Sequence, residues 1–231
     1  MVKFNIPMFN WRMVHRLVIP NFVSFIPQNL ELSKRDKMNE SKNNFETYLK
    51  DIINDAHLED QVGAILESFS FLNLPKNQFF AKEGKICTHF CFVESGILQH
   101  SIEVLGEEKT TYLALRNSST TALNSFKNRV LARKNIRALC DCNLWVINFE
   151  NFDRLLKNNS AFNRFYYNLI ENQIFLIDDY RIDLLTLTPE ERYKKLLVNE
   201  PKFLQQVPLH YLASFLGISS RHMSRIRKNI K

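Results

Sequence analysis

Five polar side chains near the carboxyl end recur at steps of three and four residues, the spacing of one helix face: Ser220, Arg221, Ser224, Arg225 and Lys228. A planar guanidinium can donate two parallel hydrogen bonds to guanine O6 and N7, and serine hydroxyls can hold phosphates. This face therefore predicts a helix that enters a DNA major groove, with Arg225 as the first candidate for a base contact. The alternative is a solvated basic helix that only closes the chain.

The residues before this face predict how it is positioned. Leu212, Ala213 and Leu216 form an apolar stripe at helical spacing, on a helix that Pro208 can open at its first position. Gly217 then ends this helix, because glycine adopts a left-handed conformation at little cost. A glycine turn between two short apolar helices favours the DNA-reading interpretation.

The second helix begins directly after the turn. Ser219 can cap it by accepting a hydrogen bond from a first-turn amide. Ile218, Met223 and Ile226 are spaced to pack against the first helix. Ser219 and His222 complete the candidate DNA-binding set.

The charge of the chain is unevenly distributed. The 231 residues are 45% apolar and carry a net charge of +7, of which residues 1–37 carry +4, residues 38–187 carry −3 and residues 188–231 carry +6. A basic terminus beside a mildly acidic body would steer that end onto DNA, with an affinity that falls as salt rises.

Motifs of other function classes do not occur in the sequence. It contains no G-x-G-x-x-G or G-x-x-x-x-G-K-[ST] run, no H-E-x-x-H and no G-x-S-x-G. We therefore expect no enzymatic activity, no cofactor and no metal site. No apolar run is long enough to span a bilayer, so we expect a cytoplasmic protein without a membrane partner.

The first third of the chain predicts an irregular start followed by helices. Residues 1–37 mix aromatic, basic and proline residues without a sustained period, so we expect a poorly ordered extension. Met38 is the expected native start, and attachment of the extension to a membrane surface is the less favoured alternative. From Phe45 to Phe69, apolar residues keep helical spacing and predict two helices.

Residues 71–149 contain short apolar and β-branched runs separated by turn signals. Glu94-Ser95-Gly96 and Leu105-Gly106-Glu107 fit hairpin connections, since glycine supplies the positive φ of such turns. The spacing predicts a small sandwich or barrel. Residues 116–137 interrupt the pattern and predict a loop or a short helix.

A long helix is predicted over residues 161–185. An apolar seam repeats there at alternating steps of four and three: Phe162, Tyr166, Leu169, Gln173, Leu176 and Tyr180. This seam is typical of a coiled coil, while Phe165, Phe175 and Ile177 lie off it. We expect one face to pack on its own domain and another on a second copy of the chain, although burial in a monomer is the alternative. A homodimer would place two reading helices one DNA turn apart.

Thr188-Pro189-Glu190-Glu191 is a capping box with proline at the first helical position. It predicts a helix through Leu197 and the start of the last domain.

The order of strands, long helix, capping box and glycine-turn pair resembles the Crp/Fnr regulators over most of residues 45–231. Phe92-Val93-Glu94-Ser95-Gly96-Ile97-Leu98 resembles the strand-turn-strand of the family's sensor barrel, and Ile218 to Ile226 resembles its recognition helix. The resemblance implies an α+β fold with a cyclic-nucleotide-binding-like β-barrel (a jelly roll, or double-stranded β-helix), a dimerisation helix and a C-terminal helix-turn-helix. It also implies control of transcription at palindromic double-stranded DNA, with RNA polymerase as a further candidate partner.

This resemblance divides the chain into four parts. Residues 1–37 are the extension, residues 38–160 the sensor domain, residues 161–187 the dimerisation helix and residues 188–231 the DNA-binding domain.

Three departures from the family pattern limit what it implies. Leu115 to Ala122 lacks the Gly-Glu pair of the family's phosphate cassette, and Arg133 is followed by Lys134 rather than by Ser or Thr, so we expect no cyclic AMP binding. Arg221 stands where the family often has a glutamate, so we expect a different DNA target. Because the sequence ends at Lys231, we expect no two-stranded wing after the recognition helix.

The competing interpretation is a ligand- or thiol-sensing interaction module whose C-terminal helices do not bind DNA. Its basis is four cysteines that fall in predicted strands: Cys87, Cys91, Cys140 and Cys142. Their spacing is not C-x2-C, and small buried thiols are common, so the sensor interpretation is the less favoured one.

Overall fold

The computed structural model describes residues 34–199 and 201–229. The predicted extension falls mainly on residues 1–33, which lie outside the described residues. The first described helix begins at Lys34, ahead of the boundary that we placed after residue 37. Residues 34–37 therefore belong to a helix rather than to the extension.

Helices flank a central group of strands. The elements in chain order are α1 (Lys34–Ile53), a 3₁₀ helix (Ala56–Gln61), α2 (Val62–Glu67), β1 (Ser70–Leu74), β2 (Phe79–Ala81), β3 (His89–Ser95), β4 (Leu98–Val104), β5 (Glu107–Ala114), β6 (Ser118–Thr120), α3 (Leu123–Asn128), β7 (Asn135–Ala138), β8 (Cys142–Asn148), α4 (Phe149–Asn158), α5 (Ser160–Thr186), α6 (Pro189–Asn199), α7 (Pro201–Gln206), α8 (Leu209–Phe215) and α9 (Ser220–Asn229). The α+β class is confirmed. The interrupted stretch at residues 116–137 holds β6, α3 and the start of β7 rather than only a loop or helix.

The strands form two antiparallel four-stranded sheets, with the orders β1-β8-β3-β6 and β2-β7-β4-β5. Of these pairs, β4 and β5 alone are neighbours in sequence, and the other connections cross between the sheets. Such crossing is the topology of a jelly roll. The predicted sandwich or barrel is therefore confirmed.

The two predicted hairpins have different outcomes. Leu105 and Gly106, with φ of +54° and +79°, join the paired strands β4 and β5 in the predicted hairpin. The hairpin predicted at Glu94 to Gly96 is wrong, because β3 and β4 lie in different sheets. Gly96 is required there for space as well as for its φ of +98°: a Cβ at this position would lie 2.5 Å from Cys142 Sγ.

Aromatic side chains pack the flanking helices against the strands of the barrel. Phe45 of α1 stacks on Phe92 of β3 with ring centroids 4.7 Å apart, and on Trp145 of β8 at 6.0 Å. At the other side, Phe152 of α4 contacts Phe162 of α5 edge to face at 5.0 Å. The predicted helices before and after the strands thus cover the barrel with large rings, whose burial is strongly favourable.

The long helix α5 spans Ser160–Thr186, in agreement with the predicted residues 161–185. Its first turns are buried at Phe162 and Phe165. Its later turns expose a run of large apolar side chains: Ile174, Phe175, Leu176, Ile177, Ile182, Leu184 and Leu185. The helix therefore belongs to the barrel at its start and presents an uncovered apolar surface beyond it.

The C-terminal helices share a hydrophobic cluster with the barrel. Three barrel residues that face outward, Ile97, Leu113 and Leu139, are buried beneath side chains of the C-terminal segment such as Leu212 and Leu216. Helix α8 packs against β5, which is an edge strand of its sheet. The described residues of the C-terminal segment, 188–199 and 201–229, are therefore docked on the barrel, although the sequence indicated a separate unit.

Candidate nucleic-acid interface

The turn between α8 and α9 has the geometry expected for Gly217. Its φ is +71°, its N–H donates to the Ser214 carbonyl at 3.1 Å, and the Ile218 N–H donates to the Ala213 carbonyl at 3.0 Å. This pair of bonds is a Schellman motif, in which glycine avoids the strain of a left-handed residue. The predicted helix stop is confirmed. Helix α8 begins at Leu209, so Pro208 is its N-cap rather than its first helical residue.

Helix α9 is fixed by its cap and by two buried side chains. Ser219 Oγ accepts a hydrogen bond from the His222 N–H at 3.2 Å, which confirms the predicted cap. Met223 and Ile226 are buried in the cluster that contains Leu212 and Leu216. These contacts fix which face of α9 remains free.

The free face carries the predicted polar set. Ser220, Arg221, Arg225 and Lys228 are exposed, and Ser224 is half-buried, with its Oγ donating to the Ser220 carbonyl at 3.0 Å. Within the described residues, no ion pair involves the three cations of this face. A row of guanidinium and ammonium groups beside a helix start can contact both bases and phosphates.

His222 differs in orientation from the rest of the candidate set. Its Nε2 lies 3.0 Å from Oε1 of Glu190, a residue in the first turn of α6. A hydrogen bond from the backbone N–H of Glu190, followed by the contact with His222, lowers the pKa of this carboxyl below its usual range. His222 therefore links α9 to α6 in addition to lying near the predicted DNA surface.

The capping box positions α6 as predicted. The Thr188 N–H donates to Glu191 Oε2 at 2.8 Å, and the Glu191 N–H donates to Thr188 Oγ1 at 3.3 Å. The pKa of Glu191 is lowered because its Oε2 accepts hydrogen bonds from the Thr188 N–H and, at 2.8 Å, from the Thr188 hydroxyl, which keeps the carboxylate ionised at the helix start.

Three residues that the sequence analysis did not single out as contacts orient the helix pair. Tyr180 of α5 donates its hydroxyl to the Phe215 carbonyl at 2.7 Å. The Arg192 guanidinium donates to the carbonyls of Leu187 at 2.9 Å and Leu216 at 3.1 Å. The Thr110 N–H of edge strand β5 donates to Ser214 Oγ at 2.8 Å. Apart from the bond between Arg192 and Leu187, these bonds join residues at least 24 positions apart in sequence, so no local motif marks them.

The barrel matches a known family by sequence as well as by shape. Residues 71–159 match the family model of the cyclic nucleotide-binding domain. The barrel is a cyclic nucleotide-binding domain in fold. A comparison of the whole chain with curated proteins gave no match.

Solved structures extend this likeness beyond the cyclic nucleotide-binding domain. FixK2 from Bradyrhizobium japonicum superposes with a TM-score of 0.58 at 11% identity, covering 70% of this chain and 84% of that one. The c-di-GMP-responsive global regulator CLP of Xanthomonas campestris gives 0.57 at 18% identity, covering 74% and 90%. A protein of Eubacterium rectale assigned to the Crp/Fnr transcriptional regulators gives 0.53 at 18% identity, covering 74% and 82%. The chain has the jelly roll and following long helix of Crp/Fnr structures.

The cyclic nucleotide-binding domain has its own polar interior. His100 is buried, and its Nε2 lies 2.8 Å from Thr120 Oγ1. Burial, aided by the positive charge of Lys134, holds the pKa of His100 well below its usual range, so the ring is neutral at neutral pH. Arg133, which lies near the arginine expected by family resemblance, is exposed, and Lys134 is half-buried instead.

The cysteines of the cyclic nucleotide-binding domain are shielded thiols. Cys87, Cys91 and Cys142 are buried, and Cys140 is half-buried. Burial raises the pKa of Cys91 well above its usual value and that of Cys142 to about 12. Because the thiolate is the reactive species, these two side chains are poor nucleophiles.

No group of His, Cys, Asp and Glu within the described residues is arranged to hold a metal ion. No helix in that part of the chain combines the length and the apolar content needed to cross a membrane.

Proposed function

We propose that this chain is a DNA-binding transcriptional regulator that acts as a homodimer on palindromic sites. The observation that carries the proposal is the free face of α9, where Arg221, Arg225 and Lys228 are exposed while Met223 and Ile226 hold the opposite face in the core. A rigidly mounted basic helix is the element that helix-turn-helix proteins place in a major groove. RNA polymerase is the further partner on which such a regulator would act.

The uncovered part of α5 supports the homodimer. Leu176 of the predicted seam and its off-seam neighbours Phe175 and Ile177 are exposed, and Phe175 also lines an open groove of about 520 Å³. A second α5 would cover these side chains, because two long helices with apolar faces pack along each other. Phe162 and Tyr180 make contacts within the chain, so the exposed middle of α5 would form most of the interface.

We also propose that the cyclic nucleotide-binding domain of this chain does not bind cyclic AMP. Leu115 to Ala122 contributes no Gly-Glu pair, and the Arg133 side chain lies at the surface. A buried phosphate needs charged or amide donors aimed at it. Calorimetry with cyclic AMP tests this part of the proposal: no heat of binding is expected, and micromolar affinity would contradict it.

The DNA-binding proposal is tested by selecting preferred duplexes from a random pool and measuring affinity at several salt concentrations. Arg225→Ala is expected to weaken specific binding by about 1–3 kcal/mol and to relax selection at one base pair per half-site. Arg227→Ala is the matched control, since Arg227 is also an exposed arginine of α9 but lies outside the predicted face. It is expected to lower affinity slightly for all sequences.

Two outcomes favour the competing interpretation, a sensing or interaction module without DNA binding. One is the absence of any preferred duplex at moderate salt. The other is an equal effect of Arg225→Ala and Arg227→Ala on every sequence, which would indicate a nonspecific basic surface.

A further inference from the structure

The tip of the β4–β5 hairpin presents an apolar residue under backbone strain. Leu105 is 99% exposed and has a φ of +54°. A left-handed conformation is uncommon for a bulky residue, whereas asparagine or glycine adopts it at little cost. Exposure and strain together disfavour leucine in the isolated chain, and strained residues concentrate at functional positions. A contact that covers Leu105 would account for its presence.

The same hairpin has an uncompensated carboxylate. Glu103 of β4 lies directly opposite Glu108 of β5, a cross-strand arrangement of like charges that destabilises a hairpin. Arg137 neutralises Glu108, with Nη2 2.9 Å from Oε2. Glu103 is exposed and takes part in no ion pair within the described residues. The tip is therefore apolar and acidic.

A patch with the opposite charge lies on the segments at residues 84–87 and 130–133. Ile86 and Leu131 face each other in an antiparallel bridge and are 41% and 62% exposed. Lys85 and Arg133 flank them, both exposed and both without an ion pair among the described residues. We name these four residues the basic patch.

The register of the sheet places tip and patch at the same end of the barrel. Strand β4 pairs with β7 from Leu98 opposite Ala138 to Ser101 opposite Asn135. Beyond that last pair, β4 continues to the hairpin tip, and the chain that leads into β7 comes from the basic patch. The same end of the barrel therefore carries two surfaces with exposed apolar side chains: the acidic hairpin tip and the basic patch.

We propose that this end of the barrel binds a second copy of the chain, with the hairpin tip of each copy on the basic patch of the other. A twofold axis repeats any such contact, so one orientation uses both tips and both patches. Leu105 then covers Ile86 and Leu131, and Glu103 pairs with Arg133. The contact is separate from the exposed face of α5 and does not depend on DNA binding.

The chemistry favours a second copy over other occupants. A nucleic-acid interface would use the cations of the basic patch, but the acidic tip beside it would repel phosphates. An anionic membrane meets the same objection. A second copy would cover the exposed apolar side chains and would also pair Glu103 with a cation of the basic patch.

Sedimentation velocity of the full chain over a concentration series tests the proposal. We expect assemblies larger than those formed through α5, growing with concentration. Leu105→Asn removes the apolar contact and relieves the strain, so it is expected to weaken this association at least tenfold while thermal stability is kept or increased. Val198→Asn is the control, since Val198 is 80% exposed on α6; association is expected to be unchanged.

Charge exchange tests the pairing itself. Glu103→Lys and Arg133→Glu are each expected to weaken association, and the double variant is expected to restore most of it. A wild-type chain that shows no association beyond the α5 dimer would overturn the proposal, as would a Leu105→Asn variant that associates as the wild type does. Association that the double variant fails to restore would show that tip and patch do not meet. Loss of the α5 dimer alone leaves this contact intact and bears only on the proposed function.

Discussion

The barrel and the C-terminal helices achieve their stability in different ways. The barrel and the helices that flank it share an aromatic core, in which Phe45 of α1, Phe92 and Trp145 are stacked and buried. Among the described residues, the cluster under α8 and α9 contains ten that are buried, and three of these, Ile97, Leu113 and Leu139, come from the barrel. The C-terminal helices thus need the barrel to complete their core, whereas the barrel core is complete without them.

The position of α9 is therefore set by the packing of the C-terminal helices on the barrel. A small helical unit with few buried residues gains limited stability from its own core. Here it gains further burial from the outer face of the sheet, and the hydrogen bond from Thr110 to Ser214 specifies one docked orientation.

Phe92→Ala is expected to have the largest effect. Removing a buried ring from an aromatic stack costs about 3–5 kcal/mol, and the C-terminal helices should unfold together with the barrel that supports them. Urea unfolding followed by hydrogen exchange of both regions measures this. Phe79→Ala, at an exposed position of β2, is the control and should change stability little. Helices α8 and α9 that stay protected after the barrel unfolds would contradict the proposed dependence.

Gly217→Val is expected to damage only the C-terminal side. The φ of +71° imposes a cost of about 2 kcal/mol on a residue with a Cβ, and more on a β-branched one. Exchange should increase in α8 and α9, DNA binding should fall, and the barrel should unfold at its wild-type midpoint. Gly63→Val in α2 is the matched control, because Gly63 has open space and a helical position, where valine costs no more than glycine. Equal effects of the two substitutions on exchange in α8 and α9 would contradict the requirement for glycine at this turn.

Ser214→Ala is expected to have the smallest effect. It leaves the buried Thr110 N–H without its acceptor, which costs about 1 kcal/mol. The loss should appear as faster exchange at β5 and α8, with the barrel core unchanged. Ser68→Ala is the control, since Ser68 Oγ bonds only within its own helical turn, to the Ala64 carbonyl at 2.9 Å. Unchanged exchange at β5 would show that docking does not depend on this bond.

Features set by neighbouring residues could be predicted from the sequence. The capping box at Thr188, the stop at Gly217 and the cap at Ser219 each depend on hydrogen bonds between groups no more than five residues apart. The long helix and the strand-rich centre followed from periodicity over longer windows. These predictions were confirmed because each feature is determined by residues that lie close together in the sequence.

Features set by distant residues could not be predicted in the same way. Glu94 to Gly96 looked like a hairpin, but the partners of β3 are β6 and β8, which lie later in the chain. Tyr180 fitted an intermolecular seam, yet its hydroxyl bonds to Phe215 of the same chain. The docking of α8 on β5 joins Thr110 to a serine 104 residues away. Pairings of this kind depend on the three-dimensional fold, and neither spacing nor composition encodes them locally.

The bonds from Tyr180 and Arg192 converge on the last carbonyls of α8, at Phe215 and Leu216. These hydrogen bonds connect the C-terminal part of α5 and the first turn of α6 to the turn between α8 and α9. In a dimer built along α5, rotation of the two long helices about each other would turn both reading helices with them. The way in which the two α5 helices wrap around each other in the proposed dimer would then set the distance between the two DNA half-sites that the dimer can bind.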